Sequence, residues 1–126
     1  MHKHRRSSGE RAVREGRRLS LTWLLIVVGV VFEIGFASCL KLSDGFTRPM
    51  ATLGVLAFGT VSLFSLSHAM RSIDAGPAYA VYTGLGATGT ALVGVLLLGE
   101  TLGPVRALAI VAIVGGAVTL ALAGGG

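Results

Sequence analysis

At 126 residues the chain has room for one domain, and 52% hydrophobic against 13% charged residues, with a mean hydropathy of +0.76, excludes an ordinary soluble fold, which carries about a quarter charged residues. The net charge of +5 does not mark a nucleic-acid binder, because seven of the eleven Lys and Arg lie in residues 1–18, outside the apolar body. A single cysteine, Cys39, excludes an intramolecular disulfide and any CxxC metal site.

Residues 1–18 (MHKHRRSSGERAVREGRR) read as a disordered, solvated basic arm, in which His2 and His4 make no metal site. The uncharged run that follows is broken only by Glu33. Leu19 to Leu40 is 22 residues long, enough to cross a hydrocarbon core of about 30 Å at about 1.5 Å per residue. A carboxylate at the centre of such a helix costs roughly 2.5–3.5 kcal/mol on insertion scales, so it is expected to face a partner or a water-filled site. No Lys or Arg lies within a helical turn of Glu33. Gly29 and Ala37 share its face at i±4, with Phe36 at i+3, and leave open volume around the acid. A Glu that titrates near neutrality can exchange a proton for a cation, the minimum equipment of a coupled antiporter. The segment Phe36-Ala37-Ser38-Cys39 loosely imitates a lipoprotein cleavage site. The length of the run, its Glu and the spans that follow oppose that reading, and Cys39 is expected to be a small buried residue.

The joint KLSDGFTRP, with its Asp44-Gly45 turn and Pro49 at a helix start, leads into a second span at about 50–70. Ser62 and Ser65 there can offer hydroxyls to a site, while His68 reads as interfacial. After RSID, a third span at about 75–99 carries Tyr79, Tyr82, Thr83, Gly86 and Thr90 at the 3–4 spacing of one face. Two phenols on one face can hydrogen-bond a carboxylate or lie against a bound cation. Gly84-Leu85-Gly86 lacks a preceding strand and is no nucleotide loop; mid-helix glycines instead allow close packing and bending. ETLGPVR leads to a fourth span at about 107–123, where Gly115-Gly116 gives a small surface suited to helix–helix contact. Backbone groups in lipid must be satisfied within the segment. The expected fold is therefore an all-α membrane domain over 19–126, a four-helix antiparallel bundle.

With an even number of spans, the tail, RSID and the C-terminus share one side. The basic count is then eight on that side against Lys41, Arg48 and Arg106 on the other, which places both termini in the cytoplasm. Without the tail the count is one to three and favours the reverse, so the tail sets the orientation.

Phe32-Glu33-Ile34 with Leu40-Lys41 and Ser43-Asp44-Gly45-Phe46-Thr47-Arg48, then Ala78-Tyr79-Ala80-Val81-Tyr82-Thr83-Gly84-Leu85-Gly86, resemble the small multidrug resistance transporters. The likeness runs from about Leu21 to Ala121. It implies a four-helix protein of the bacterial inner membrane that works as an antiparallel dimer and exchanges protons for cations. The stretch AYAVYTGLGATGTALVGVLLLGE is similar to the guanidinium-exporter subtype. By that resemblance Glu33 is the shared proton and substrate residue, Tyr79 its hydrogen-bond partner and Ser62 a second-helix member of the network. Gly84 and Gly86 mark the flexible part of the third helix. Phe36 and Tyr82 stand where the subtype usually has Trp, close to substrate, and leave room for quaternary ammonium or other hydrophobic cations as the alternative cargo.

Homodimers of the family insert one sequence in both orientations, which needs a nearly balanced basic count. Eight to three is not balanced, so the expectation is either a later start codon or a paired, oppositely oriented subunit. No cofactor, metal or nucleic acid is expected; the partners are lipid, protons and a small cation. No enzyme is expected, because apart from Glu33 the spans lack acids and bases that could form a catalytic set. A merely structural subunit would gain nothing from a mid-membrane acid.

Overall fold

The computed structural model describes residues 2–124, with side chains over 8–123. Four helices follow one another, α1 (His2–Leu42), α2 (Pro49–Ala69), α3 (Ala75–Leu97) and α4 (Pro104–Gly124). Each contains a stretch long and apolar enough to span a membrane, which agrees with the all-α, four-span architecture expected from the sequence. The tail differs from expectation. Residues 2–18 continue α1 without a break, where a disordered arm was expected. Extending a helix already nucleated in the membrane avoids the nucleation cost, no proline intervenes, and Glu10/Arg14 and Arg11/Glu15 stand at the supportive i,i+4 spacing. The side chains of His2 and His4 lie outside the described residues.

The helices do not pack as an even four-membered ring. α1 packs along α2 and also against α3, α2 and α3 barely meet, and α4 packs on α3 alone. The core lies in the half of the bundle nearest the tail, where Ile26 and Val30 of α1 meet Leu66 and Ala69 of α2 and Ala78, Val81 and Tyr82 of α3. Small residues permit the α1–α2 approach, since helices in lipid associate through close van der Waals contact. A Cβ at Gly54 would stand 2.7 Å from Cys39 Sγ, and one at Gly35 would stand 3.0 Å from the Phe58 ring. Cys39 is half-buried and serves as an α1–α2 packing residue.

Charged and turn residues build the joints. Asp44, Gly45 and Phe46 all have positive φ, a costly conformation for Phe46. Buried Ser43 holds this turn: its Oγ donates to Leu40 O (2.7 Å) and accepts from Phe46 N (3.3 Å), while its carbonyl accepts from Thr47 N and Arg48 N. Pro49 then occupies the first turn of α2, where its missing N–H leaves nothing unsatisfied. Lys41 at the end of α1 pairs with Glu100 in the α3–α4 joint, which brings those two helix ends to one side of the membrane. Glu100 N donates to Gly94 O (3.0 Å), and its carboxylate lies where a Cβ at Gly94 would be.

Replacing Gly54 with Val should force α1 and α2 apart, at a cost of about 1–3 kcal/mol for overpacking. Removing the opposing Sγ with Cys39→Ala should recover part of that loss. Thermal unfolding of the purified protein in detergent reads both; an unchanged melting temperature in the Gly54→Val variant contradicts the close α1–α2 approach.

Candidate cation site

Glu33 projects from α1 into a cavity of about 180 Å³ between the helices, lined also by Phe36, Gly59, Ser62, Leu63, Tyr79 and Tyr82. Five of these residues belong to the set expected from the sequence, and one space holds them all. The Oε2 of Glu33 is buried and has no hydrogen-bond partner among the described residues. It lies directly over Gly86 of α3, occupying the position a Cβ would take. The missing side chain at Gly86 is what lets Glu33 seat against α3.

The hydroxyls beside it are already engaged. Ser62 Oγ is buried and donates to Gly29 O (2.7 Å), which ties α2 to α1. It is also hydrogen-bonded to the phenol of Tyr82, which ties α2 to α3. Tyr82 is only 4% exposed, and its ring lies within 3.2 Å of where a Gly29 Cβ would stand. Ser62 and Tyr82 thus form a buried brace across three helices, an economical use of polar groups where no water satisfies them.

Tyr79 is placed differently from the partner role implied for it. It is 55% exposed, stands 6.2 Å from the Tyr82 ring centroid to centroid, and makes no hydrogen bond to Glu33 among the described residues. The reason lies in the helix face. Tyr79, Thr83 and Ala87 recur at i+4 on one side of α3, and all three are exposed. Only the other part of the expected stripe, Tyr82, Gly86 and Thr90, turns inward or half inward. Tyr79 therefore lines the mouth of the cavity with a free phenol.

Sequence reasoning missed Gly59 and Leu63. A Cβ at Gly59 would stand 2.9 Å from the Phe36 ring, so this glycine seats Phe36 against α2 and keeps the cavity open. The signal was its position three residues before Ser62, on the same face. Ser65 is buried one turn beyond Ser62 but outside the cavity lining. His68 Nδ1 is bonded to Phe64 O of its own helix. Gly84 and Gly86 are buried within a continuous α3, and their carbonyls each take a second hydrogen bond, from Thr88 and Thr90 (both 2.8 Å). Such back-bonding weakens the local ladder and favours bending. Gly84 also receives α4, with Ile113 Cγ2 at 3.2 Å and Ala117 Cβ at 3.4 Å from its would-be Cβ. At Gly115 and Gly116 a Cβ would meet no atom within 4 Å, so that small surface of α4 is open in the single chain.

A larger groove of about 300 Å³ runs between α3 and α4 past Glu100 and Arg106. Its acid is neutralised by Lys41 and the rest of its wall is mostly aliphatic, so it lacks the uncompensated charge that distinguishes Glu33.

Comparison with known proteins covers the stretch of chain that holds this cavity. The family model described as Small Multidrug Resistance protein matches residues 21–114, from the apolar part of α1 into α4. The chain is 41% identical over 103 residues to a guanidinium exporter of Yersinia pseudotuberculosis, covering 82% of this chain and 99% of that protein. It is 41% identical over 102 residues to one from Citrobacter freundii, covering 81% and 97%. With the guanidinium exporter of Salmonella typhimurium strain LT2 it shares 36% over 102 residues, again covering 81% and 97%.

The Ser62–Tyr82 brace has a measurable signature. A double-mutant cycle of Ser62→Ala and Tyr82→Phe, followed by denaturant unfolding in mixed micelles, should give a coupling of about 0.6 kcal/mol and no more than about 1.7 kcal/mol, the range for hydrogen bonds between membrane helices. Strict additivity of the two substitutions contradicts the bond.

Proposed function

The chain belongs to the small multidrug resistance family, and on that premise we propose that it is a proton-coupled antiporter exporting small organic cations, with guanidinium-type compounds as cargo. It is a multi-pass protein of the bacterial inner membrane, and its relatives are exporters, not enzymes. One observation carries the reading: a carboxylate oxygen buried at mid-span, in a cavity, with no hydrogen-bond partner among the described residues. Such an atom is costly unless a proton or a cation supplies the missing partner.

Deprotonated Glu33 offers two acceptor oxygens, and guanidinium presents parallel N–H donors that match them bidentately. Protonated Glu33 offers no charge and holds no cation. Because proton and cargo compete for the same oxygens, binding one releases the other. A ligand shifts an equilibrium only through differential affinity, and this competition provides it. Tyr79 at the mouth and Phe36 on the wall present aromatic surface to a passing cation. The Ser62–Tyr82 brace fixes the walls, and the flexible part of α3 at Gly84 and Gly86 supplies the movement that alternates access.

The working unit is a dimer. The outer face of α4 is apolar and uncovered, with Val105, Leu108 and Val111 more than two-thirds exposed, and Gly115-Gly116 offers the place of close approach. An antiparallel partner brings a second Glu33 toward the first. The eight-to-three basic count supports a subunit of fixed orientation paired with an oppositely inserted one.

Gly59 favours a second reading, export of quaternary ammonium or other hydrophobic cations. A glycine facing Phe36, together with Tyr82 in place of a larger indole, gives room that a planar guanidinium does not need.

Proton-driven guanidinium uptake into proteoliposomes tests the proposal. Wild-type uptake should be abolished by Glu33→Gln, which keeps the shape of the side chain and removes the titrating charge. Gly86→Ala, which displaces the carboxylate, should weaken cation binding about 5- to 150-fold, the equivalent of about 1–3 kcal/mol of overpacking. Undiminished uptake by Glu33→Gln sinks the antiporter reading, and uptake of tetraalkylammonium but not guanidinium selects the second cargo.

A further inference from the structure

The transport reading leaves the basic extension of α1 unused. At about 100° per residue along the helix, Arg11, Arg14, Arg17 and Arg18 fall within an arc of about 120°. All four are exposed, and none of their guanidinium groups makes an ion pair or hydrogen bond among the described residues. Arg14 lies about 7.5 Å, and Arg11 about 12 Å, along the axis from Leu19, where the apolar run begins. That interval is the headgroup layer and the first Debye length beyond it.

The stripe does not stop at the membrane surface. Arg14 and Arg17 continue at the 3–4 spacing into Leu21 and Leu24, which are 53% and 58% exposed. One uncovered face of α1 is thus cationic at its outer end and aliphatic below, the polarity profile of a phospholipid standing in one leaflet. We propose that this face binds anionic phospholipid of the cytoplasmic leaflet, with the headgroup phosphate between Arg14 and Arg17 and an acyl chain along Leu21 and Leu24. Arg11 and Arg18 flank the headgroup from either side. Glu15 lies off the arc; Glu10 lies on it beside Arg14 and Arg17, a turn further from the bilayer than Arg14, and offsets only part of the four arginine charges. Nucleic acid fits less well, because the cationic stripe is short and passes straight into lipid.

Trp23, the sole tryptophan, packs against the core on the side of α1 opposite the arginine arc, so Trp23→Phe and Leu24→Trp move the single reporter onto the face. Full-length protein is reconstituted into vesicles of phosphatidylcholine and phosphatidylglycerol, with brominated acyl chains on one lipid or the other. Quenching of the tryptophan fluorescence in this background then gives the relative affinity of the two. The expected result is a preference for phosphatidylglycerol of about fivefold, what one arginine at an anionic surface provides, shrinking as sodium chloride is raised. Changing Arg11, Arg14, Arg17 and Arg18 together to Gln should bring it to unity, whereas changing them to Lys should retain it. Symmetric vesicles make the reading independent of insertion direction, and circular dichroism establishes that the Gln variant is folded. Equal quenching by the two lipids with all four arginines present, or an unchanged preference in the folded Gln variant, overturns the proposal. Retention of a labelled single-stranded DNA oligonucleotide by wild-type vesicles of phosphatidylcholine, with no lipid preference, assigns the face to nucleic acid instead and also overturns it.

Discussion

The rest of the structure is arranged around one unpaid electrostatic cost, the buried carboxylate oxygen of Glu33 without a partner. Membrane helices carry such a group at a penalty of several kcal/mol unless a neighbour or a bound species answers it. Here the neighbouring hydroxyls do not answer it. Ser62 is committed to Gly29 O and to Tyr82, and Tyr79 faces outward. The helices approach closely enough to enclose the acid only because Gly86 lets it lie against α3 and Gly59 lets Phe36 lie against α2. Missing side chains, as much as those present, form the site.

That division between braced walls and an unanswered acid suits an exchanger. A carboxylate fully satisfied by Ser62 and Tyr79 would gain less from either a proton or a cation, and the difference between its two loaded states would shrink. Binding the hydroxyls to one another keeps the cavity shape while leaving the charge to the ligands. The α4 helix stands apart from this machinery, packed on α3 alone and open on its other side, which is consistent with separate surfaces for cargo and for a second subunit.

Much of the fold was legible in the sequence because lipid imposes a simple rule: backbone polar groups must be satisfied within each span. Four apolar runs separated by charged joints therefore gave four helices, and Glu33 stood out because nothing nearby could neutralise it. Three things were less legible. The tail was expected to be disordered because its composition resembles a solvated arm, yet it is helical, since a helix propagates more easily than it starts. The exposure of Tyr79 was not legible because 3–4 spacing shows which residues share a helix face but not how much of that face a neighbour covers. Gly59 carried no chemistry of its own and became visible only once Phe36 was seen to rest on it.

The central claim is that one carboxylate serves proton and cargo in turn. Proton release during cation binding tests it most directly. Guanidinium is titrated into detergent-solubilised protein in weakly buffered solution while the pH is recorded, over a range of starting pH values. Protons released in step with guanidinium bound, over the pH range where Glu33 titrates, and absent in Glu33→Gln, are the expected result. Guanidinium binding to the wild type with no proton released at any pH would contradict it, because cargo and proton would then occupy different sites.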